Sequence, residues 1–180
     1  YKAGYLYRGA KPVQFCLDCG SSLAEAEVEY KDKVSPAIDV AYRFKDNTAL
    51  AKAFRLPEIS GDAFAVIWTT TPWTLPANLA VSIHPEHDYA LIEGEGRWFV
   101  IAQEMMESVR ERWGISAPWT VHGTVKGAAL DRLILTHPFI ARDSLLINGY
   151  HVTLDAGTGC VHTAPAHGVE DFEICRQYGI

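Results

Sequence analysis

Apolar and polar residues alternate from Ala37 to Phe44, with Ile38, Val40, Tyr42 and Phe44 on one side, and this predicts a half-buried strand. Phe64-Ala65-Val66-Ile67-Trp68 has no polar residue at all and reads as a strand buried on both faces. Leu79 to Ile83 is a second short apolar strand. Tyr89–Ile92 and Trp98–Ala102 flank Glu93-Gly94-Glu95-Gly96, the pattern of a hairpin. Further short strands are expected at Thr120–Val125, Leu133–Leu135, Leu145–Ile147 and His151–Leu154, with Val161–Thr163 as the last.

The helical period is rarer. Asp46 or Asn47 caps a short helix expected to run through Phe54 and to end before Pro57. Gln103 to Trp113 predicts a longer one, with Met105, Met106, Val109 and Trp113 on a core-facing stripe and Gly114 as its stop. A third starts at His167 or Gly168 and runs through Tyr178, closed by Gly179. Many short strands, glycine turns and three helices predict an α+β fold, a barrel-like and mostly antiparallel β domain with peripheral helices.

Composition narrows the setting. One hundred and eighty residues at 48% apolar suffice for one good core. A net charge of −6 without a basic run argues against gripping a nucleic-acid duplex by general electrostatics, but allows a pocket for the end of a nucleic acid. The apolar runs are too short for a membrane span and no signal peptide opens the chain, so no membrane partner is expected and the location expected is cytoplasmic. A start at Tyr1 and a stop at Ile180 predict a domain excised from a longer protein. Residues 1–30 are expected to connect to that parent, and 31–180 to form the domain proper.

Within the connecting segment, Tyr1 to Lys11 is aromatic and basic, and Leu23 to Tyr30 is dense in glutamate. Cys16-Leu17-Asp18-Cys19-Gly20 has the form of a zinc knuckle, its glycine permitting the tight turn. A structural zinc needs four ligands, and Cys160 and Cys175 are isolated. Cys16 and Cys19 are therefore either half of a site completed outside the chain or two reduced thiols, and no complete metal site is expected within it.

Two interruptions of the apolar pattern carry candidate chemistry. Between the strands at 64–68 and 79–83, Pro72 and Pro76 fix φ and remove two donors, which rules out a continuous central strand. The result is a stiff turn presenting Thr69, Thr70, Thr71, Thr74 and Asn78 beside a hydrophobic floor. Near the other end, Gly157-Thr158-Gly159 lets the backbone approach a ligand closely before Val161-His162-Thr163. Asp171 then falls in the first turn of the last helix, where the helix dipole alone favours an acid. Taken singly, His162 also reads as a hydrogen-bonded core histidine and His167 as a helix cap.

The two motifs together resemble a known family. Trp68-Thr69-Thr70-Thr71-Pro72-Trp73-Thr74-Leu75-Pro76-Ala77-Asn78 is similar to the threonine-rich peptide in the editing domain (the CP1 insertion) of bacterial-type isoleucyl-tRNA synthetases. Gly157 to Gly168, followed by Asp171, resembles the same domain's second signature. Leucyl and valyl relatives carry arginine after the paired threonines, where this chain has Thr71. Cys16-x-x-Cys19 with Leu23-Ala24-Glu25-Ala26-Glu27 is also similar to the family's entry into the insertion.

The resemblance implies post-transfer editing: hydrolysis of valine wrongly esterified to tRNA(Ile), by a cytoplasmic enzyme domain without a cofactor. The partners implied are the valine-bearing 3′ end of that tRNA and the rest of the parent synthetase. One methylene discriminates by only about 1–3 kcal/mol, isoleucine against valine being the usual worked case, so a second and smaller sieve is needed. Thr69, Thr70, Thr71, Asn78, His162 and Asp171 are implied as the catalytic set, and Trp68, Thr74, Ala166, His167 and Asp171 as substrate contacts. Asp171 would anchor the ammonium. His162 and the threonine wall would line the side-chain pocket, where overfilling costs roughly 1–3 kcal/mol. Asn78, Thr74 and Trp68 would orient ribose, adenine or the attacking water. The competing expectation is a non-catalytic module that docks the tRNA acceptor end.

Overall fold

A curled sheet with three α-helices forms the framework among the described residues of a computed structural model, which describes residues 2–10, 12–94 and 96–180. Tyr1 and Lys11 of the expected connecting segment, and Glu95 of the expected hairpin loop, lie outside the described residues. The chain opens with a small antiparallel ribbon, β1 (Phe15–Cys16) and β2 (Ser21–Ser22), wrapped around the Cys16–Cys19 turn. The main elements follow as β3 (Ile38–Phe44), α1 (Asn47–Ala53), β4 (Ala63–Thr69) and β5 (Ala80–Ile83). Next come β6 (Asp88–Gly94), β7 (Arg97–Ala102), α2 (Met106–Arg112) and β8 (Thr120–Lys126). The chain closes with β9 (Ile134–Thr136), β10 (Asp143–Asn148), β11 (Cys160–Thr163) and α3 (Val169–Tyr178).

Nine of these strands form one sheet in the order β11-β5-β10-β9-β3-β4-β7-β6-β8. Every pairing is antiparallel except β4 with β7 and β5 with β10. The sheet curls back on itself, which gives the barrel-like shape the sequence predicts. β5, β10, β9 and β3 separate β11 from β4 in the order, yet Thr158, just before β11, donates its hydroxyl to the Val66 carbonyl of β4. Thr158 also accepts the Ala102 amide through its own carbonyl. The approach needs glycine on both sides: a Cβ at Gly159 would stand 2.3 Å from that of Ala102, and one at Gly157 would stand 3.3 Å from that of Trp68. Both glycines hold positive φ, at +77° and +86°. Among the described residues no ladder joins β8 to β11, so the closure is by packing rather than by a continuous barrel.

Inside the curl Tyr42, Phe44, Ile67, Leu91, Ile101 and Leu146 are buried in one apolar core. α1 starts as predicted, Asp46 accepting the amides of Thr48 and Ala49. The Met105–Val109 stripe packs into the core, but residues Gln103–Met105 form a 3-10 turn and only Met106–Arg112 is α-helical. Arg112 pins that helix to β3 by a two-pronged ion pair with Asp39, both contacts at 2.9 Å. The expected strand at His151–Leu154 does not form. β10 stops at Asn148, where the backbone turns at Gly149, and the Val152 amide bonds to the Gly149 carbonyl instead of a neighbouring strand.

Candidate active site

The two polar interruptions meet. β4 ends at Thr69, and the chain then makes a 3-10 turn over Pro72–Ala77 before entering β5. β11 pairs with β5 so that Thr163 stands opposite Ala80, bringing the start of α3 over the same turn. Between them lies a cavity of about 440 Å³. Trp68, Thr69, Thr71, Trp73 and Thr74 line it from one side, and His162, His167, Gly168 and Asp171 from the other.

His162 forms the floor of the cavity and is only 9% exposed. Its tautomer follows from its partners. Asn78 Nδ2 donates to the Ala80 carbonyl at 2.7 Å, which fixes the amide's orientation, and Ser144 donates to Asn78 Oδ1 at 2.7 Å. The second Nδ2 hydrogen must then go to His162 Nδ1, 2.8 Å away, making that nitrogen an acceptor. On the far side Thr74 gives its hydroxyl hydrogen to the Thr71 carbonyl, so His162 Nε2–H donates to Thr74 Oγ1 at 2.9 Å. Both ring nitrogens are committed. Burial, with lesser contributions from His137 and His167, pushes the imidazole down to about 4, so it is neutral near pH 7. A ring held this way is a rigid wall rather than a proton carrier.

Asp171 is built differently. Gly168 caps α3, and Asp171 Oδ2 accepts the Ala164 amide at 2.8 Å across the strand–helix turn. Burial holds its carboxyl above the ordinary range, an effect reduced by the Ala164 amide and by the nearby His151. A carboxylate that faces a cavity with one amide partner retains lone pairs for a cation.

The structure also separates residues that the sequence grouped. Thr70 is exposed and does not line the cavity. Thr70 lies just past the end of β4, at a bend that turns it to solvent. Asn78 is fully buried beneath His162 and cannot orient ribose, adenine or water directly; it acts on the imidazole. Ala166 faces a neighbouring cavity of about 510 Å³ beside Val13 and Tyr30, while His167 borders both cavities. Sequence reasoning missed Ser144, His137 and Arg142. They come from β10 and the loop before it, which carry no local signature, and only the parallel β5–β10 pairing brings Ser144 beneath the site.

The Cys16 thiol accepts the Cys19 amide at 3.3 Å, and this contact is the main cause of its lowered pKa. Among the described residues no cluster of three or more His, Cys, Asp or Glu is placed to hold a metal ion. Nor is any helix among them long and apolar enough to cross a membrane.

The model for tRNA synthetases class I (I, L, M and V) matches residues 1–126. The chain belongs to the class I tRNA synthetases. Within that family it is 61% identical over 178 residues to an isoleucine–tRNA ligase of Dichelobacter nodosus, and 62% identical over 180 residues to one of Neisseria meningitidis. These matches cover 99% and 100% of this chain but 19% of either ligase, so the chain spans about a fifth of the length of these relatives. Among solved structures it is similar to the editing domain of the Plasmodium knowlesi cytosolic leucyl-tRNA synthetase, with a TM-score of 0.67 at 10% identity over 79% of this chain and 62% of that one. The P. falciparum counterpart gives 0.65 at 11% identity over 79% and 67%. At such identity the likeness speaks for the fold alone, and the fold is that of a class I synthetase editing domain.

Proposed function

We propose that this synthetase domain performs post-transfer editing, hydrolysing valyl-tRNA(Ile) and sparing isoleucyl-tRNA(Ile). The observation that carries the reading is the pairing of an acceptor-rich carboxylate with a rigid neutral imidazole across one cavity of about 440 Å³. An aminoacyl ester offers a free ammonium for Asp171 and a branched side chain to be measured against His162 and the Thr69–Thr71 wall. An arriving ammonium also offsets the burial that raises the Asp171 pKa.

The hydrolysis itself adds a water oxygen to the ester carbonyl carbon and breaks the bond to the ribose oxygen, releasing valine and a free terminal hydroxyl. With both His162 nitrogens engaged, catalysis rests on placing that water rather than on an imidazole base. The Thr69 hydroxyl accepts the Thr71 amide at 3.0 Å and contacts the Thr71 hydroxyl at 3.2 Å, giving the wall fixed polar groups beside the ester. The neighbouring ribose hydroxyl is a second proton-handling group. The Cys16–Cys19 pair fits half of a tetrahedral zinc set, with the remaining ligands supplied from outside the chain. The tRNA body, the parent synthetase and a cytoplasmic setting complete the proposal.

The test is hydrolysis of valyl-tRNA(Ile) and isoleucyl-tRNA(Ile) by the chain. Wild type should cleave the first and spare the second, and His162→Ala should begin to cleave isoleucyl ester, lowering the preference about tenfold. Binding of a non-hydrolysable valyl-adenosine analogue without any hydrolysis would select the docking-module reading instead.

A further inference from the structure

The Pro72–Ala77 turn belongs to no ladder, and two of its residues are prolines without a backbone N–H. Its backbone bonds beyond its own 3-10 turn run from the Thr74 amide to the Thr71 carbonyl and from the Asn78 amide to the Leu75 carbonyl, and among the described residues none reaches a distant segment. Its height above the cavity floor is therefore set by side chains. His162 reaches it from the floor, through Thr74. From behind, the loop between β9 and β10 reaches it twice. His137 Nδ1 accepts the amides of Phe139 and Ile140, at 3.4 and 3.2 Å, so its hydrogen sits on Nε2 and is donated to the Leu75 carbonyl at 2.9 Å. Arg142 Nη2 donates to the Pro76 carbonyl at 2.6 Å. The His137 ring is buried and held edge-on between Tyr42 and Phe139, with centroids 5.7 and 4.6 Å away. Such a ring has one position.

We propose that His137, assisted by Arg142, is a positioning residue that sets the size limit of the cavity by holding the Pro72–Ala77 turn down onto His162. It touches no substrate; it acts through the Leu75 carbonyl and thence through Thr74 and Asn78. The assignment rests on the editing reading for its catalytic consequence, but its structural consequence stands apart from that reading. If the turn loses its rear support, Thr74 retreats from His162 Nε2, the wall gives, and a side chain one methylene larger is admitted.

The experiment uses three variants of the chain. His137→Leu fills the space without the donor. His137→Gln carries an amide where Nε2 stood and keeps the donor. Val109→Ala, on the buried face of α2, lowers stability without touching the turn. Two quantities are read: the ratio of valyl- to isoleucyl-tRNA hydrolysis, and the imidazole nitrogen NMR signals of His162, which report whether its Nε2–H keeps Thr74 as acceptor. In His137→Leu the ratio should fall about tenfold, the weight of one buried hydrogen bond, and the His162 Nε2 signal should shift as that acceptor is lost. His137→Gln should recover both, and Val109→Ala should change neither. An unchanged ratio and an unchanged His162 signal in a folded His137→Leu would overturn the proposal, and so would failure of a folded His137→Gln to recover them. If wild type hydrolyses neither ester, the editing reading fails by itself, and an undisturbed His162 signal in His137→Leu would still overturn the support role.

Discussion

The two walls of the cavity obey opposite rules. On the imidazole side, His162, Asn78, Ser144 and Thr74 form a chain in which each donor and acceptor is spoken for, largely out of reach of water. On the carboxylate side, Asp171 has a single amide partner and a proton affinity raised by burial. A saturated network resists deformation and suits the measurement of shape. An under-partnered carboxylate is costly to leave alone and suits the capture of charge. The proposed function assigns the gauging of shape to the first wall and the capture of charge to the second.

The comparison can be broken at its anchor first. Asp171→Ala should lower valyl-tRNA hydrolysis on the order of a hundredfold or more while the circular dichroism spectrum is retained. Near-normal rates would mean that the ammonium is held elsewhere.

On the opposite wall, Asn78→Ala leaves His162 Nδ1 and the Ser144 hydroxyl without their partner in a buried site. Urea denaturation should register a loss of about 3 kcal/mol. A change below a few tenths would show that the network is not structural.

A pH series sharpens the same point. His162 is held down to about 4, whereas an unfolded histidine titrates near 6.5, so the unfolded chain takes up the proton first as pH falls. The contribution of His162 is thus complete above about pH 6.5 and declines toward pH 4, by about 2 kcal/mol between pH 7 and 5. Asp171 works in the reverse sense, because its carboxyl is raised in the folded state. Comparing wild type with His162→Gln isolates the histidine slope, and equal slopes would contradict a buried neutral ring.

The smallest effect belongs to Gly168→Ala. Its backbone conformation is ordinary, but the new Cβ would stand 3.0 Å from the Asp171 carboxyl carbon. A KM for valyl-tRNA raised about threefold with kcat preserved is the expected signature of a nudged anchor. A kcat loss instead would place Asp171 among the groups acting on the ester.

Much of the fold was legible because period and punctuation are local. β3, β4 and the β6–β7 hairpin follow from their apolar patterns, and α1 and α3 from their caps. The expected strand at His151–Leu154 failed where a glycine turn outweighed β propensity. Within the site, the cavity brings Thr69, Thr71, Thr74, His162 and Asp171 together, but local sequence could not tell Thr69 from the outward Thr70, nor place Asn78 below the floor.

The sequence by itself determined which chemical groups were available: hydroxyls stiffened by two prolines, an imidazole after a glycine-rich turn, and an acid in the first turn of a helix. Those are short-range facts of covalent geometry and neighbouring residues. Only the tertiary structure decided which groups face the cavity and which serve behind it. Ser144, His137 and Arg142 acquire their roles through strand pairings and loop contacts between residues more than sixty positions apart in the chain. Hydrogen bonds over such separations depend on register and curl, properties that the whole sheet possesses and no single segment carries.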